Sequence, residues 1–287
     1  MPQLEGVEHR FVDVRGARLH VAELGSGPPV LLLHGWPQHW WCWRRLMPLL
    51  AGSFRMLAMD LRGFGWSEAT AGGYRKDELA EDVGGVLDAL GIDRVRLVGH
   101  DWGGVVGMLL CVGHGDRVER FVPMNTGHVW PTPPRLDRLP RQVGALSYQV
   151  VLASPFVGPQ ATASPRVLRG VFDLISTHSD DVLDGLDQYA ARFAAPSRAR
   201  AVQQLYRTFL LAELPAWLRG RYRGRRLTTP TLWLHGLDDP AITPSVFEDI
   251  VVHADDVQIE LLGDCGHFPA EEQPGVVAGH LRSFLAA

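Results

Sequence analysis

An apolar run at residues 95–98 passes directly into Gly99-His100-Asp101-Trp102-Gly103-Gly104, and an apolar helical pattern follows at once. A chain turns from strand to helix this sharply only where side chains do not collide, and Gly99, Gly103 and Gly104 remove three of them. The residue at the centre of such a turn, Asp101, is lifted clear of both elements. On its own the segment also reads as a glycine-rich turn with an aspartate capping a helix. The surrounding pattern separates the two readings.

Short β-branched runs alternate with longer helical patterns, the signature of a parallel sheet with helices on both faces. Alternating segments at 9–14 and 17–24 flank Arg15-Gly16 and read as an opening hairpin. Buried-type strands follow at 30–33, 55–59, 95–98 and 118–124. The clearest helix spans 76–90, with Leu79, Val83, Val86, Leu87 and Leu90 on one face. After Asn125 the rhythm changes: 130–222 carries helical periodicity and several prolines, and strands return at 231–234 and 257–262. The expected organisation is an α/β core of residues 1–129 and 223–287, split after the sixth strand by a helical cap at 130–222. Such a cap rests over the C-terminal edge of the strands, where open α/β sheets bind ligands. The basic run at 219–226, RGRYRGRR, reads as a solvated connector.

With 287 residues, 46% of them hydrophobic and 21% charged, the chain can bury a large core. A net charge of −4 argues against nucleic acid or an anionic membrane as partner. Cys42, Cys111 and Cys265 are odd in number and widely spaced, which fits neither a disulfide framework nor a zinc site but fits a reducing compartment. The segment MPQLEGVEHR has no apolar leader core, and no stretch of about eighteen residues is apolar throughout, so a cytoplasmic location is expected. Turns account for the glycine-rich segments, so no metal, organic cofactor or phosphate loop is expected.

Two further motifs gather chemistry. Residues 31–38, LLLHGWPQ, end an apolar strand at His34-Gly35 and turn at Trp36-Pro37. Asp238 and Asp239 follow the strand at 231–234, and His267 follows the last strand. One helix and one strand separate these two sites, so a parallel sheet delivers both to the edge that carries Asp101. Most of the twelve histidines need no special role. His100 and Cys265, beside these positions, read as structural.

Together the motifs resemble the epoxide hydrolase and haloalkane dehalogenase branch of the α/β-hydrolase superfamily. The likeness runs through nearly the whole chain, is most specific in His-Gly-Trp-Pro and Gly-His-Asp-Trp-Gly-Gly, and includes RGFGWSE at 62–68. It implies Asp101 as nucleophile, with the backbone N–H groups of Trp36 and Trp102 as an oxyanion hole. It implies His267 as base, oriented by Asp239 rather than Asp238, because the family spacing is Gly-x-x-Asp counted from Gly236. Two cap tyrosines are also implied: Tyr148 in its Tyr-Gln context and Tyr206 in its Tyr-Arg context. Of only five tyrosines, four fall in the expected cap. The plainer alternative is that both pack there with their hydroxyls bonded elsewhere.

An aspartate nucleophile narrows the reaction. With a reference pKa of about 4 a carboxyl is already ionised at pH 7, so no base is needed for attack. Displacement at a saturated carbon leaves an alkyl ester, which water activated by His267 then hydrolyses. Opening an epoxide needs a proton donor, whereas expelling a halide needs only N–H groups to hold it. The two tyrosines therefore favour a small hydrophobic epoxide, in a pocket lined by Trp36, Pro37 and Trp102. Haloalkane dehalogenation is the second reading: Trp102 stands where dehalogenases hold halide, but Trp36 stands where many of them carry asparagine. Fluoroacetate-type dehalogenases follow their nucleophile with arginine, so a haloacid is disfavoured. A non-catalytic binding protein would not need the full set, and a carboxylesterase would need a serine that is missing here.

Overall fold

The computed structural model describes residues 1–131 and 147–286. Among these residues eight strands form one sheet: β1 (Glu8–Val14), β2 (Ala17–Leu24), β3 (Pro29–Leu33), β4 (Arg55–Met59), β5 (Val95–His100), β6 (Val118–Met124), β7 (Thr231–Gly236) and β8 (Val257–Leu262). Their order is β1-β2-β4-β3-β5-β6-β7-β8. The hairpin β1–β2 and the pair β2–β4 are antiparallel, and every other pair is parallel. Burial explains the division. In β3, Val30 to Leu33 are all buried, as a central strand covered on both faces requires. In β1, at the edge, buried and exposed positions mix.

The helices of the core are α1 (Met47–Leu50), α2 (Lys76–Ala89) and α3 (Trp102–Gly113). Helix α2 buries Leu79, Val83, Val86 and Leu87, the stripe expected from its period. Helix α3 is buried along almost its whole length, consistent with a helix that follows the Asp101 turn into the core. Trp40 and Trp43 are fully buried core residues and Trp41 packs partly against them, so the tryptophan-rich stretch is mostly structural.

Between β6 and β7 lie α4 (Gly158–Ala163), α5 (Pro165–Ile175), α6 (Ser179–Leu183), α7 (Leu186–Phe193), α8 (Pro196–Thr208), a π-helical turn (Phe209–Glu213) and α9 (Leu214–Leu218). Residues 147–153 are helical as well. Of the span expected to be helical, 132–146 lie outside the described residues. Local chemistry sets the helix starts: Pro165 occupies the first turn of α5, and Ser164 Oγ accepts from the Val167 N–H at 3.4 Å. The segment is bonded to the core from above the strand ends. Arg198 donates to the carbonyls of Phe64 and Ser67 at 3.1 and 2.8 Å, and Arg192 to that of Gly65 at 2.9 Å. The last helices are α10 (Phe247–His253), α11 (Pro269–Glu272) and α12 (Pro274–Ala286).

The basic run at 219–226 is largely exposed, with Arg221 and Arg226 paired to Asp77 and Asp255. All three cysteines are free and buried. Among the described residues no helix is long and apolar enough to cross a membrane.

Sheet order fixes where a site can form. From β3 the chain crosses to β4 on one side, and later to β5 on the other. The turns after β3 and β5 therefore diverge and leave a crevice at their C-terminal ends.

Candidate active site

Asp101 stands at the head of that crevice with φ 49°, a left-handed conformation that a non-glycine residue adopts at a cost of about 1 kcal/mol or more. Its surroundings hold it there. Thr126 Oγ1 donates to the Asp101 carbonyl at 2.6 Å, and the Gly104 N–H bonds the same oxygen at 2.9 Å. Gly103 permits the tight passage, since a Cβ there would lie 2.2 Å from the Leu33 carbonyl oxygen. Gly35, in the turn after β3, has no room either: its Cβ would fall 2.3 Å from Asp101 Oδ2.

That close approach puts the Trp36 N–H on Asp101 Oδ2 at 2.9 Å. The Trp102 N–H also bonds the carboxylate. His34 fixes the turn by bonding the Gly35 carbonyl through Nδ1 at 2.9 Å and accepting from the Leu61 N–H through Nε2 at 3.0 Å. Burial raises the Asp101 carboxyl to about 6, against the opposing pull of His267 and the two amides. The ordinary value used for the sequence therefore needs correction. At pH 7 the group is still mostly ionised, but with a narrower margin.

His267 follows β8, and its Nδ1 lies 2.8 Å from Asp239 Oδ2. Asp239 is buried whereas Asp238 is exposed, so only the former can orient the imidazole. Asp239 Oδ1 accepts the amides of Ala241 and Ile242 at 2.7 and 3.0 Å. Burial opposes its charge, but His267, Asn125 and the Ile242 amide outweigh burial and hold the carboxyl below its ordinary range. Burial likewise opposes a charge on His267, and Asp239 and then Asp101 overcome it, so the imidazole is more basic than usual. His100 is buried, bonds the His267 carbonyl at 2.7 Å, and is held neutral with a pKa of about 3 by burial. Its part is structural, as is that of buried Cys265.

Asn125 was not singled out from the sequence, where it marks only the change of rhythm after β6. Its Nδ2 donates to Asp239 Oδ2 at 2.8 Å and to the Gly266 carbonyl at 3.1 Å, and its Oδ1 accepts the Gly236 N–H at 3.1 Å. One side chain thus ties the ends of β6, β7 and β8 together. The available signal was an Asn at a strand's C-terminal end, a residue type that tolerates the left-handed backbone seen here, φ 39°.

Tyr148 and Tyr206 pack against each other beside Trp36, within reach of the Asp101 charge. Their rings are 6.0 Å apart, and Trp36 contacts both: stacked on Tyr148 at 6.3 Å and edge-on to Tyr206 at 5.9 Å. Tyr206 is fully buried, while Tyr148 exposes 37% of its surface and its hydroxyl accepts from Gln149 Nε2 at 3.4 Å. Burial first, and the Asp101 charge among the other causes, raises both phenols above their ordinary range, so both stay protonated.

Two chambers share Asp101, Tyr148 and Ala241. One, of about 210 Å³, is walled by Trp36, His267 and the apolar side chains of Val171, Leu174 and Ile175. The other, of about 170 Å³, is walled by Trp102, His128, Gln149, Phe209 and Trp217. Trp36 lines the first chamber and Trp102 the second. Pro37, expected beside them, is buried and belongs to the wall of neither chamber. The Trp36–Pro37 bond is cis.

The sequence model described as alpha/beta hydrolase fold matches residues 28–274. The chain belongs to the α/β-hydrolase-fold family. Within it, this α/β hydrolase lies in the branch that holds epoxide hydrolases and haloalkane dehalogenases. It is 31% identical over 294 residues to the soluble epoxide hydrolase of Corynebacterium sp. (strain C12), covering 98% of each chain. It is 33% identical over 283 residues to haloalkane dehalogenase 2 of Mycobacterium tuberculosis, covering 96% of this chain and 94% of that one. The solved epoxide hydrolase CorEH superposes with a TM-score of 0.86 at 27% identity, over 98% of this chain and 99% of the other. Identity alone does not divide the two activities. The geometry around Asp101 has to.

Proposed function

We propose that this α/β hydrolase opens small hydrophobic epoxides to vicinal diols through an alkyl ester on Asp101. The observation that carries the reading is the pair of protonated phenols, Tyr148 and Tyr206, facing the carboxylate from the helical segment, which acts as a cap. An alkoxide leaving group must be protonated or hydrogen-bonded as it forms, and two phenols near a nucleophile supply that.

The steps follow from the geometry. One Asp101 oxygen attacks a ring carbon, the C–O bond breaks, and a tyrosine proton goes to the oxygen released. The oxygen held by the Trp36 amide becomes the ester carbonyl. Water, losing a proton to His267, attacks the ester carbon, and the charge that develops falls on the oxygen that the Trp36 amide holds, beside the Trp102 amide that also bonds the carboxylate. Collapse breaks the ester C–O bond as protonated His267 gives its proton to the departing alkoxide, and the carboxyl group formed loses its own proton, which restores the tyrosine phenol as the diol leaves. The full-length likeness to a soluble epoxide hydrolase supports this assignment.

One observation favours a second reading, hydrolytic dehalogenation. Among the described residues the buried indole Nε1 of Trp36 has no hydrogen-bond partner, and an N–H of this kind can hold a halide. Replacing both Tyr148 and Tyr206 by Phe separates the readings. Epoxide turnover is expected to fall by about 10²–10⁴-fold, the usual contribution of general acid catalysis, with turnover of any haloalkane substrate left close to that of the parent. Undiminished epoxide turnover in the double variant would return both tyrosines to a packing role.

The pH dependence has a definite direction. Ester formation needs ionised Asp101, so its rate should fall as pH drops through about 6. Ester hydrolysis needs neutral His267. Esterification removes the Asp101 charge, one cause of the raised imidazole pKa, so His267 gives up its proton more readily in the intermediate than in the free enzyme. Single-turnover rates of the two steps against pH test this. An acid limb for ester formation near pH 4 would contradict the raised nucleophile.

A further inference from the structure

Lys76, in the first turn of α2, is fully buried, which is rare for lysine unless it is paired. Its ammonium donates to Glu213 Oε2 at 2.8 Å and to the Leu205 carbonyl at 2.5 Å. It also stands 4.7 Å from the centre of the Trp102 ring and 5.3 Å from that of Phe209, within range of a cation–π attraction. Its backbone N–H holds the other Glu213 oxygen at 2.7 Å.

These partners surround one member of the site. Leu205 directly precedes Tyr206. Phe209 and Glu213 bound the π-helical turn that follows α8, a kind of irregularity often found at functional sites. The Trp102 ring, pressed by the ammonium on its face, stands edge-on to the Tyr206 ring at 5.6 Å. Burial lowers the lysine to about 8 while Glu213 supports its charge, so the ammonium is the main form at neutral pH. An apolar side chain would fill this space without desolvating two charges, and such replacements are often neutral or stabilising. What the charge adds is direction: it draws three separate backbone segments to one point.

We propose that Lys76 is a positioning residue for ring opening, setting the depth at which the Tyr206 hydroxyl meets the epoxide oxygen over Asp101. The proposal rests on the reading of Tyr206 as proton donor. It predicts a division between the two chemical steps. Ester formation depends on Tyr206 and so on Lys76. Ester hydrolysis depends on His267, Asp239 and the backbone amides of Trp36 and Trp102; Lys76 bonds none of these groups and meets Trp102 only at its ring.

The test is the double variant Lys76→Met/Glu213→Gln, which removes both charges together and leaves the glutamine able to accept the backbone N–H of residue 76. Rapid mixing with an epoxide, followed by tryptophan fluorescence and by mass analysis of acid-quenched samples, gives the two rates separately. Ester formation is expected to slow by about 10- to 100-fold, the scale of an ångström's misplacement, with ester hydrolysis within about twofold of the parent. Unchanged ester formation, or an equal fall in both steps, would overturn the proposal, the latter by showing general loosening. The single Glu213→Gln variant, which keeps the ammonium, gives a second measure should the double variant fold poorly: a smaller loss, again confined to ester formation. Tyr206→Phe serves as the control on the underlying reading. If that variant forms the ester at the parental rate, the role of Tyr206 fails whatever Lys76 does.

Discussion

Mixed with an epoxide, the His267→Gln variant should stop after one turnover and carry the whole mass of the substrate on Asp101. Ring opening is an addition, so no atom is lost in forming the ester. A haloalkane adduct would instead be lighter than its reagent by one hydrogen halide. Attack by a carboxylate consumes no base, so ester formation should persist; at neutral pH it slows only as far as loss of the His267 pull raises the Asp101 carboxyl further, and it recovers as pH rises. Hydrolysis of the ester should slow by about 10²–10⁴-fold, the range for loss of a positioned base. Glutamine is the suitable replacement because its amide can still donate to Asp239, whose carboxylate would otherwise lose a buried partner. Intact mass and peptide mapping read the outcome. An adduct on another residue, or none from a broad epoxide panel with the protein folded, would remove the covalent mechanism.

What the sequence made legible follows from what leaves a local trace. Val30 to Leu33 read as a buried strand because parallel strands covered on both faces cannot alternate. The turn around Asp101 read as sharp because its glycines are demanded by contacts as close as 2.2 Å. Asp239 was separable from Asp238 only by the family spacing, and the physical reason, its burial against His267 and the Ala241 and Ile242 amides, needed the structure. Long-range pairings left no trace. Lys76 and Glu213 lie 137 residues apart, and each alone looks like an ordinary surface charge in a helical pattern. Asn125 is similar: its three bonds depend on β6, β7 and β8 being neighbours, which is a property of the sheet order. The raised pKa of Asp101 was hidden for the same reason, since it measures how much chain closes over the carboxylate.

That burial makes Asp101 a site where activity opposes stability, and its substitution should separate the two. Asp101→Ala should lower kcat by about 10⁴–10⁶-fold, the scale seen when a covalent nucleophile is removed. Stability should move the other way in Asp101→Asn, which keeps the size of the side chain and tolerates a positive φ. In the unfolded chain the carboxyl ionises near its ordinary value of about 4, and in the folded protein only near about 6. Above pH 6 ionisation therefore favours the unfolded state. Asp101 is only part-buried at the cavity, which reduces the penalty to on the order of 1–2 kcal/mol. At pH 7 the Asn variant should consequently melt a few degrees above the parent, roughly 2–4 °C. As pH falls from 6 toward 4 the parent carboxyl becomes neutral in both states, and the advantage should vanish. The alanine variant gains less, because its backbone at φ 49° retains a strain of about 1 kcal/mol or more. Intact mass must accompany these measurements, since the water that His267 activates against an ester can also attack the amide of the Asn variant and slowly restore the acid. A pH-independent difference in melting temperature would mean that the carboxylate is well solvated in the folded protein. Its margin of ionisation at pH 7 would then be set by the two amides and His267 rather than by burial.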